Sequence, residues 1–316
     1  MLSIDGIYWE MTKDLPKLII ISGPTCSGKS MLAVELALKS GGEIINADSM
    51  QVYRGMDIGT AKLSMEDREG VKHHLIDIID PDQEFNAACF LLYTLPVIKD
   101  LHERKIPVIV VGGTGLYVKV LLGGLFECPP SEFEFRQGLQ EEYKKKGLSV
   151  LYQRLLRLDK KASDTINPND RIRIMRALEV IHSTGRPFSE VTEEHGFSDK
   201  RFVYLYFCMD IDRKTLYGRI NSRTLSMIDA GLIEETKKLL DAGYSPGLKS
   251  MQAIGYRHII DYLNGRWGLD ETIRVIQRDT RRYAKRQLTW LRADKDIHWV
   301  DPENRQGTID KALQFI

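Results

Sequence analysis

Residues 18–30, Leu-Ile-Ile-Ile-Ser-Gly-Pro-Thr-Cys-Ser-Gly-Lys-Ser, run an apolar strand directly into a phosphate-binding loop. Gly23 and Gly28 bracket four residues ahead of Lys29 and Ser30, a full match to G-x-x-x-x-G-K-[ST], and a helical pattern follows from Met31 to Leu38. Backbone N–H groups of such a loop turn inward toward phosphate oxygens, and the helix behind it adds its positive N-terminal end. Gly23, Pro24, Thr25, Cys26, Ser27, Gly28, Lys29 and Ser30 are therefore the expected diphosphate cradle, with Lys29 as a point charge and Ser30 as the ligand of a Mg²⁺ ion. The loop restricts the fold to an α/β class: a P-loop NTPase-like parallel sheet flanked by helices.

The loop does not say which phosphate compound it grips. Kinases and hydrolases of this architecture carry an apolar strand that ends in an Mg²⁺-holding Asp. The best such strand, Ile106–Val111, runs instead into Gly112-Gly113-Thr114-Gly115-Leu116-Tyr117. Asp80, at the end of Leu75–Asp80, is the one alternative acid, so a kinase stays open at this point. The strand Glu43–Ala47 ends in Asp48, and residues just beyond strand carboxyl ends line the ligand crevice of an open parallel sheet. Asp48 and Thr114 are thus expected to face the same site as Lys29.

The β-α rhythm predicts strands near 17–22, 43–47, 75–79 and 106–111, with helices near 29–39, 86–105 and 114–122. Pro96 predicts a kink or break in the second helix. The composition changes at Cys128-Pro129-Pro130, and residues 131–200 are charged and read as helices joined by loops. Strand character returns in 201–209, and a short strand is expected at 297–300. The expected organisation is a core of 1–128 and 201–316, with a helical C-terminal part, interrupted by a helical insertion domain over 129–200.

Three segments carry a resemblance: the phosphate loop, the block Asp48-Ser49-Met50-Gln51-Val52-Tyr53-Arg54-Gly55-Met56-Asp57-Ile58-Gly59-Thr60-Ala61-Lys62, and Gly112–Tyr117. Together they resemble the tRNA dimethylallyltransferase (tRNA isopentenyltransferase) family, bacterial type. The likeness continues through His73–Asp77, Asn167–Asp170, Arg176–Val180, Gln252–Tyr256 and Tyr283–Trp290. It implies transfer of a dimethylallyl group from dimethylallyl diphosphate to N6 of the adenosine at tRNA position 37, beside the anticodon. A relative acting on free AMP, ADP or ATP is the alternative, and the helical insertion and basic C-terminal helices count against it.

Adenine N6 is a weak nucleophile, and an allylic diphosphate leaves readily only when its charge is neutralised. The resemblance assigns Asp48 as the base that takes the N6 proton and Thr114 as a hydrogen-bond donor to the diphosphate. Arg219 and Arg223 share a helix face, and the resemblance favours Arg223 as the phosphate clamp. Arg136 corresponds to a family arginine, although the preceding residues, Glu132-Phe133-Glu134-Phe135, lack the family's Asp-Pro pair. His73 and His74 lack the spacing of a zinc site.

Net charge is +1, so an RNA site has to be a local patch. The segment 274–292 carries seven basic residues against Asp279 alone, interleaved with Tyr283 and Trp290. Packing is the expected role of Trp290. The resemblance assigns Asp48, Ser49, Met50, Gln51, Arg173, Arg176, Gln252, Gly255, Tyr256, Arg257, Lys285, Arg286 and Arg292 to the anticodon stem-loop. Cys26, Cys89, Cys128 and Cys208 are scattered, without a C-x-x-C pair, which argues against a disulfide framework. No signal-peptide core is expected in Met1–Lys17, and no run approaches the ~20 apolar residues of a membrane span. A cytoplasmic monomer with no membrane contact and no obligate protein partner is the resulting expectation. No Cys/His finger follows Trp299.

Overall fold

The structure, a computed structural model, describes residues 15–125, 132–196 and 200–316. The N-terminal segment up to Asp14 and the composition break at Cys128-Pro129-Pro130 lie outside the described residues. The chain divides into two compact units, Met1–Val120 with Arg201–Ile316, and Leu121–Lys200.

The first unit is built on a six-stranded sheet of order β3-β2-β4-β1-β5-β6. The strands are β1 (Lys17–Ser22), β2 (Glu43–Asn46), β3 (His73–His74), β4 (Val108–Gly112), β5 (Val203–Met209) and β6 (His298–Val300). Every pairing is parallel. Leu18, Ile19, Ile20 and Ile21 are at most 1 % exposed, as a central strand covered on both faces requires. This is the P-loop-type sheet expected from the motif.

Helices α1 (Lys29–Ser40), α2 (Ala87–Glu103) and α3 (Gly115–Gly123) follow β1, β3 and β4. Asn86 caps α2, its side chain accepting from the N–H groups of Ala88 and Cys89. Contrary to the expected break, α2 runs unbroken through Pro96. Pro96 is exposed, so water can reach the backbone its ring disrupts.

The expected strand over 75–79 is also corrected. Only His73–His74 pair with β2, because Leu75 and Asp77 take left-handed φ angles of 63° and 55°. Asp77 is turned to accept from Lys62 Nζ, and Ile79 keeps only an isolated bridge to Tyr53.

The second unit contains α4 (Phe133–Lys146), α5 (Leu148–Leu158), α6 (Lys160–Thr165), α7 (Arg171–Thr184) and α8 (Phe188–His195). Its own core includes Leu139, Leu151, Leu155, Ile174 and Leu178. Buried Asp159 caps α6 by accepting from Ala162 N at 2.9 Å, and it also accepts from Ser189 N at 2.7 Å, which ties α8 to α6. The first unit resumes with β5 and continues through α9 (Arg213–Asp229), α10 (Leu232–Asp241), α11 (Tyr256–Leu263), α12 (Leu269–Leu291), β6 and α13 (Arg305–Phe315).

Candidate active site

The phosphate loop is held open by backbone that ordinary residues avoid. Gly23 has φ 153°, and a Cβ there would lie 2.7 Å from Ser27 Oγ; Gly28 has φ 89° and Cys26 adopts φ 65°. Ser27 Oγ is fully buried and has no hydrogen-bond partner among the described residues. Lys29 folds back along the loop, its Nζ donating to Pro24 O at 3.4 Å. Burial pushes the Lys29 pKa down, nearby Asp48 opposes the shift, and nearby Arg223 adds to it. The loop thus concentrates positive charge in a poorly solvated place.

The sequence-predicted catalytic residues of the first unit converge on this loop. Because β4 lies between β1 and β2, the segments leaving these three strands are neighbours. Asp48 Oδ1 accepts from Met50 N at 2.8 Å and Gln51 N at 3.3 Å, which fixes the carboxylate in its own turn. Thr114 Oγ1 accepts from Ser49 N at 3.3 Å, and Thr114 N donates to Ala47 O at 3.4 Å, so the turns after β2 and β4 are latched together. Arg223 Nη2 donates to Thr25 Oγ1, whereas Arg219 faces solvent. The choice of Arg223 over Arg219 accords with this geometry.

Other predicted residues belong to other segments. Arg136 belongs to the helical unit, with its Nε 3.4 Å from Glu179 Oε1; Arg176 Nη1 lies 3.5 Å from the other oxygen of Glu179, and Arg173 Nε lies 3.7 Å from Asp170. Asp80 pairs with Arg54 at 2.9 Å on the surface. His73 bonds to Val71 O, and His74 Nε2 lies 2.5 Å from Glu43 Oε2.

Tyr256 requires a correction. Expected against RNA, it is 0 % exposed and donates its hydroxyl to Glu235 Oε1 at 2.5 Å; Gly255 is buried as well. Neither is available for direct contact in this arrangement. Gln252 is exposed, and Arg257 Nη2 donates to Asp279 Oδ2 at 2.8 Å. Asp279 also pairs with Arg278 and Arg282; its burial pulls its pKa up, but hydrogen bonds from Arg278, His258 and Arg257 hold the carboxyl well below the usual range. Part of the basic stripe on α12 is therefore neutralised internally, while Lys285, Arg286 and Arg292 at its C-terminal end are exposed.

Sequence reasoning missed the inward face of α12. Buried Gln287 accepts from Thr25 N at 2.9 Å through Oε1 and donates to Gly113 O at 3.0 Å through Nε2, bridging the phosphate loop and the turn before Thr114. Burial raises the Tyr283 phenol pKa, and the charge of nearby Asp48 adds to the shift. Tyr117, stacked on Phe90 at 4.6 Å, is raised by burial first, with Tyr53 and Asp48 adding to the shift. Trp290 does not pack inward as expected: it is 39 % exposed, and its ring only lies over Gly115, where a Cβ would come within 2.7 Å of it. Tyr283, Gln287 and Trp290 are four and three residues apart, a helical stripe that could have signalled a site-facing surface.

Among the described residues no helix is long and apolar enough to cross a membrane, and no three His, Cys, Asp or Glu residues are grouped to hold a metal ion.

A family model described as IPP transferase matches residues 51–294, and one described as isopentenyl transferase matches residues 16–81. A tRNA dimethylallyltransferase of Geobacter sulfurreducens is 50% identical over 300 residues, covering 95% of this chain and 96% of its own length. Among solved structures, the tRNA isopentenylpyrophosphate transferase of Bacillus halodurans is similar with a TM-score of 0.70 and 40% identity, covering 95% of both chains. A eukaryotic dimethylallyltransferase described as acting on tRNA reaches a TM-score of 0.80 at 30% identity, covering 91% of this chain and 74% of its own. With the phosphate loop, Asp48 and Thr114 gathered at the carboxyl ends of neighbouring strands and relatives matched along nearly its whole length, the chain belongs to the IPP transferase family.

Proposed function

We propose that this protein transfers a dimethylallyl group from dimethylallyl diphosphate to N6 of the adenosine at position 37 of tRNA, releasing diphosphate. The observation that carries the reading is the pair of latched turns that holds Asp48 and Thr114 together beyond β2 and β4, with β4 next to the strand that leads into the phosphate loop. As the C1–O bond of the allylic diphosphate breaks, the N6 lone pair forms the new C–N bond and the N6 proton passes to Asp48. Asp48 Oδ1 is engaged by its own turn, so Oδ2 is the oxygen assigned to the proton. Lys29, the loop N–H groups and Arg223 stabilise the charge collecting on the leaving diphosphate. Thr114 donates a hydrogen bond to the same group.

The donor set suits Mg²⁺, an ion that retains waters and leans on substrate phosphates. Ser30, in the first turn of α1, would hold it alongside the diphosphate oxygens, and the ion would add positive charge at the leaving group. Lys285, Arg286 and Arg292, Ser49 to Gln51, and Arg173 and Arg176 of the helical unit are proposed to hold the anticodon stem-loop, with Arg136 as a further cation of the reaction. The reading places the protein in the cytoplasm, acting as a monomer.

The test is incubation of the protein with Mg²⁺, labelled dimethylallyl diphosphate and unmodified tRNA, with AMP and ATP as parallel acceptors. Label is expected in tRNA alone, and Asp48→Ala is expected to lower kcat by about 10²–10⁴-fold. Label in AMP or ATP alone would instead assign the protein to free adenylates.

A further inference from the structure

The block Asp57-Ile58-Gly59 presents successive backbone N–H groups on one side of its turn, a concavity that in other proteins binds anions. Here the anion belongs to the chain. Glu235 on α10 accepts from Asp57 N at 3.0 Å and Ile58 N at 2.8 Å through Oε2, and from Gly59 N at 3.1 Å through Oε1. The Tyr256 hydroxyl adds a fourth bond to Oε1. Gly59 is required at this point, because a Cβ there would lie 2.4 Å from the Tyr256 ring.

The clamped turn leads back to the proposed base. Immediately after Gly59, the carbonyls of Thr60 and Ala61 accept from Gln51 Nε2 at 3.1 and 3.3 Å. The backbone N–H of Gln51 in turn donates to Asp48 Oδ1. Lys62 closes the same loop from beneath: its side chain is 3% exposed and it donates to Tyr53 O at 2.6 Å and Asp57 Oδ1 at 2.7 Å.

We infer that Glu235, with Tyr256, is a positioning residue for the reaction: its carboxylate fills the Asp57–Gly59 turn and so sets Gln51 and the Asp48 carboxylate against the acceptor base. The inference rests on the proposed transfer to tRNA. It separates two halves of the site, since the phosphate loop has its own anchors in Gln287 and Arg223.

Glu235→Gln keeps the shape but turns one acceptor oxygen into an NH₂ group that faces N–H or O–H donors. The expected result is a roughly tenfold rise in KM for tRNA and a roughly tenfold fall in kcat, with KM for dimethylallyl diphosphate within about twofold of the parent. Tyr256→Phe, which removes one bond of the four, is expected to move the same parameters in the same direction by a smaller factor. Hydrogen–deuterium exchange across 48–62 is expected to quicken in both variants without a change across 23–30. A lower active fraction with both KM values unchanged, or unaltered exchange across 48–62, overturns the assignment. A parent protein that transfers no label to tRNA defeats the functional reading instead, and the exchange measurement then still decides whether Glu235 holds the turn.

Discussion

Lys29 is a cation under strain of environment: it is folded against Pro24 O in a poorly solvated loop, with a second cation, Arg223, near enough to disfavour its charge. Both effects lower the pH at which it loses its proton, and Asp48 only partly restores it. A lysine with a lowered pKa is neutral at a pH where an ordinary one, at about 10.4, is still charged. A pH profile of kcat/KM for dimethylallyl diphosphate is therefore expected to fall on its alkaline side below that value. In Lys29→Arg, whose guanidinium stays charged, the fall is expected to disappear although the overall rate is lower. An identical alkaline limb in both proteins would assign the titration to another group.

At the scale of the element, α12 connects the site internally while presenting charge externally. Gln287 is the most consequential residue of its inward face, because one amide serves two loops. Gln287→Leu leaves Thr25 N–H and Gly113 C=O without that partner, a cost of about 1–3 kcal/mol for each group that stays buried. Kinetics should show KM for dimethylallyl diphosphate raised about tenfold or more, with KM for tRNA much less affected. The phosphate loop and the Asp48 turn were legible in the sequence because each is a local pattern: glycines where φ is positive, an acid just beyond a strand. The contacts that lock them were not, since Gln287 and Thr25 are separated by 262 residues and Glu235 and Gly59 by 176. The misplaced third strand has a local cause that hydrophobicity hides, namely the left-handed Leu75 and Asp77. Tyr256 was read as an RNA contact from its motif, yet its hydroxyl is buried against Glu235.

The whole molecule carries a net charge of only +1, so affinity for a polyanion has to come from where its cations stand. Several arginines of α12 already hold Asp279 or Glu271, which leaves the exposed Lys285, Arg286 and Arg292 to carry the electrostatics at this end of the helix. Measured against salt, the slope of log K for tRNA is expected to lose about 0.7–0.9 for each of Lys285→Gln and Arg286→Gln. The loss should be similar across tRNA sequences, since phosphate contacts carry no base information. The strand order has a consequence of another kind. One strand, β4, separates β2, which carries the acid, from β1, which carries the phosphate loop. Two strand spacings of about 4.8 Å put roughly 10 Å between the two strand axes. Had the two strands been immediate neighbours, half that separation would have left little room between the proposed base and the proposed leaving group. On the proposed reaction the sheet acts as a ruler: it sets apart the proposed grips on the two reactants by a width that admits both a five-carbon group and the amine that displaces its diphosphate.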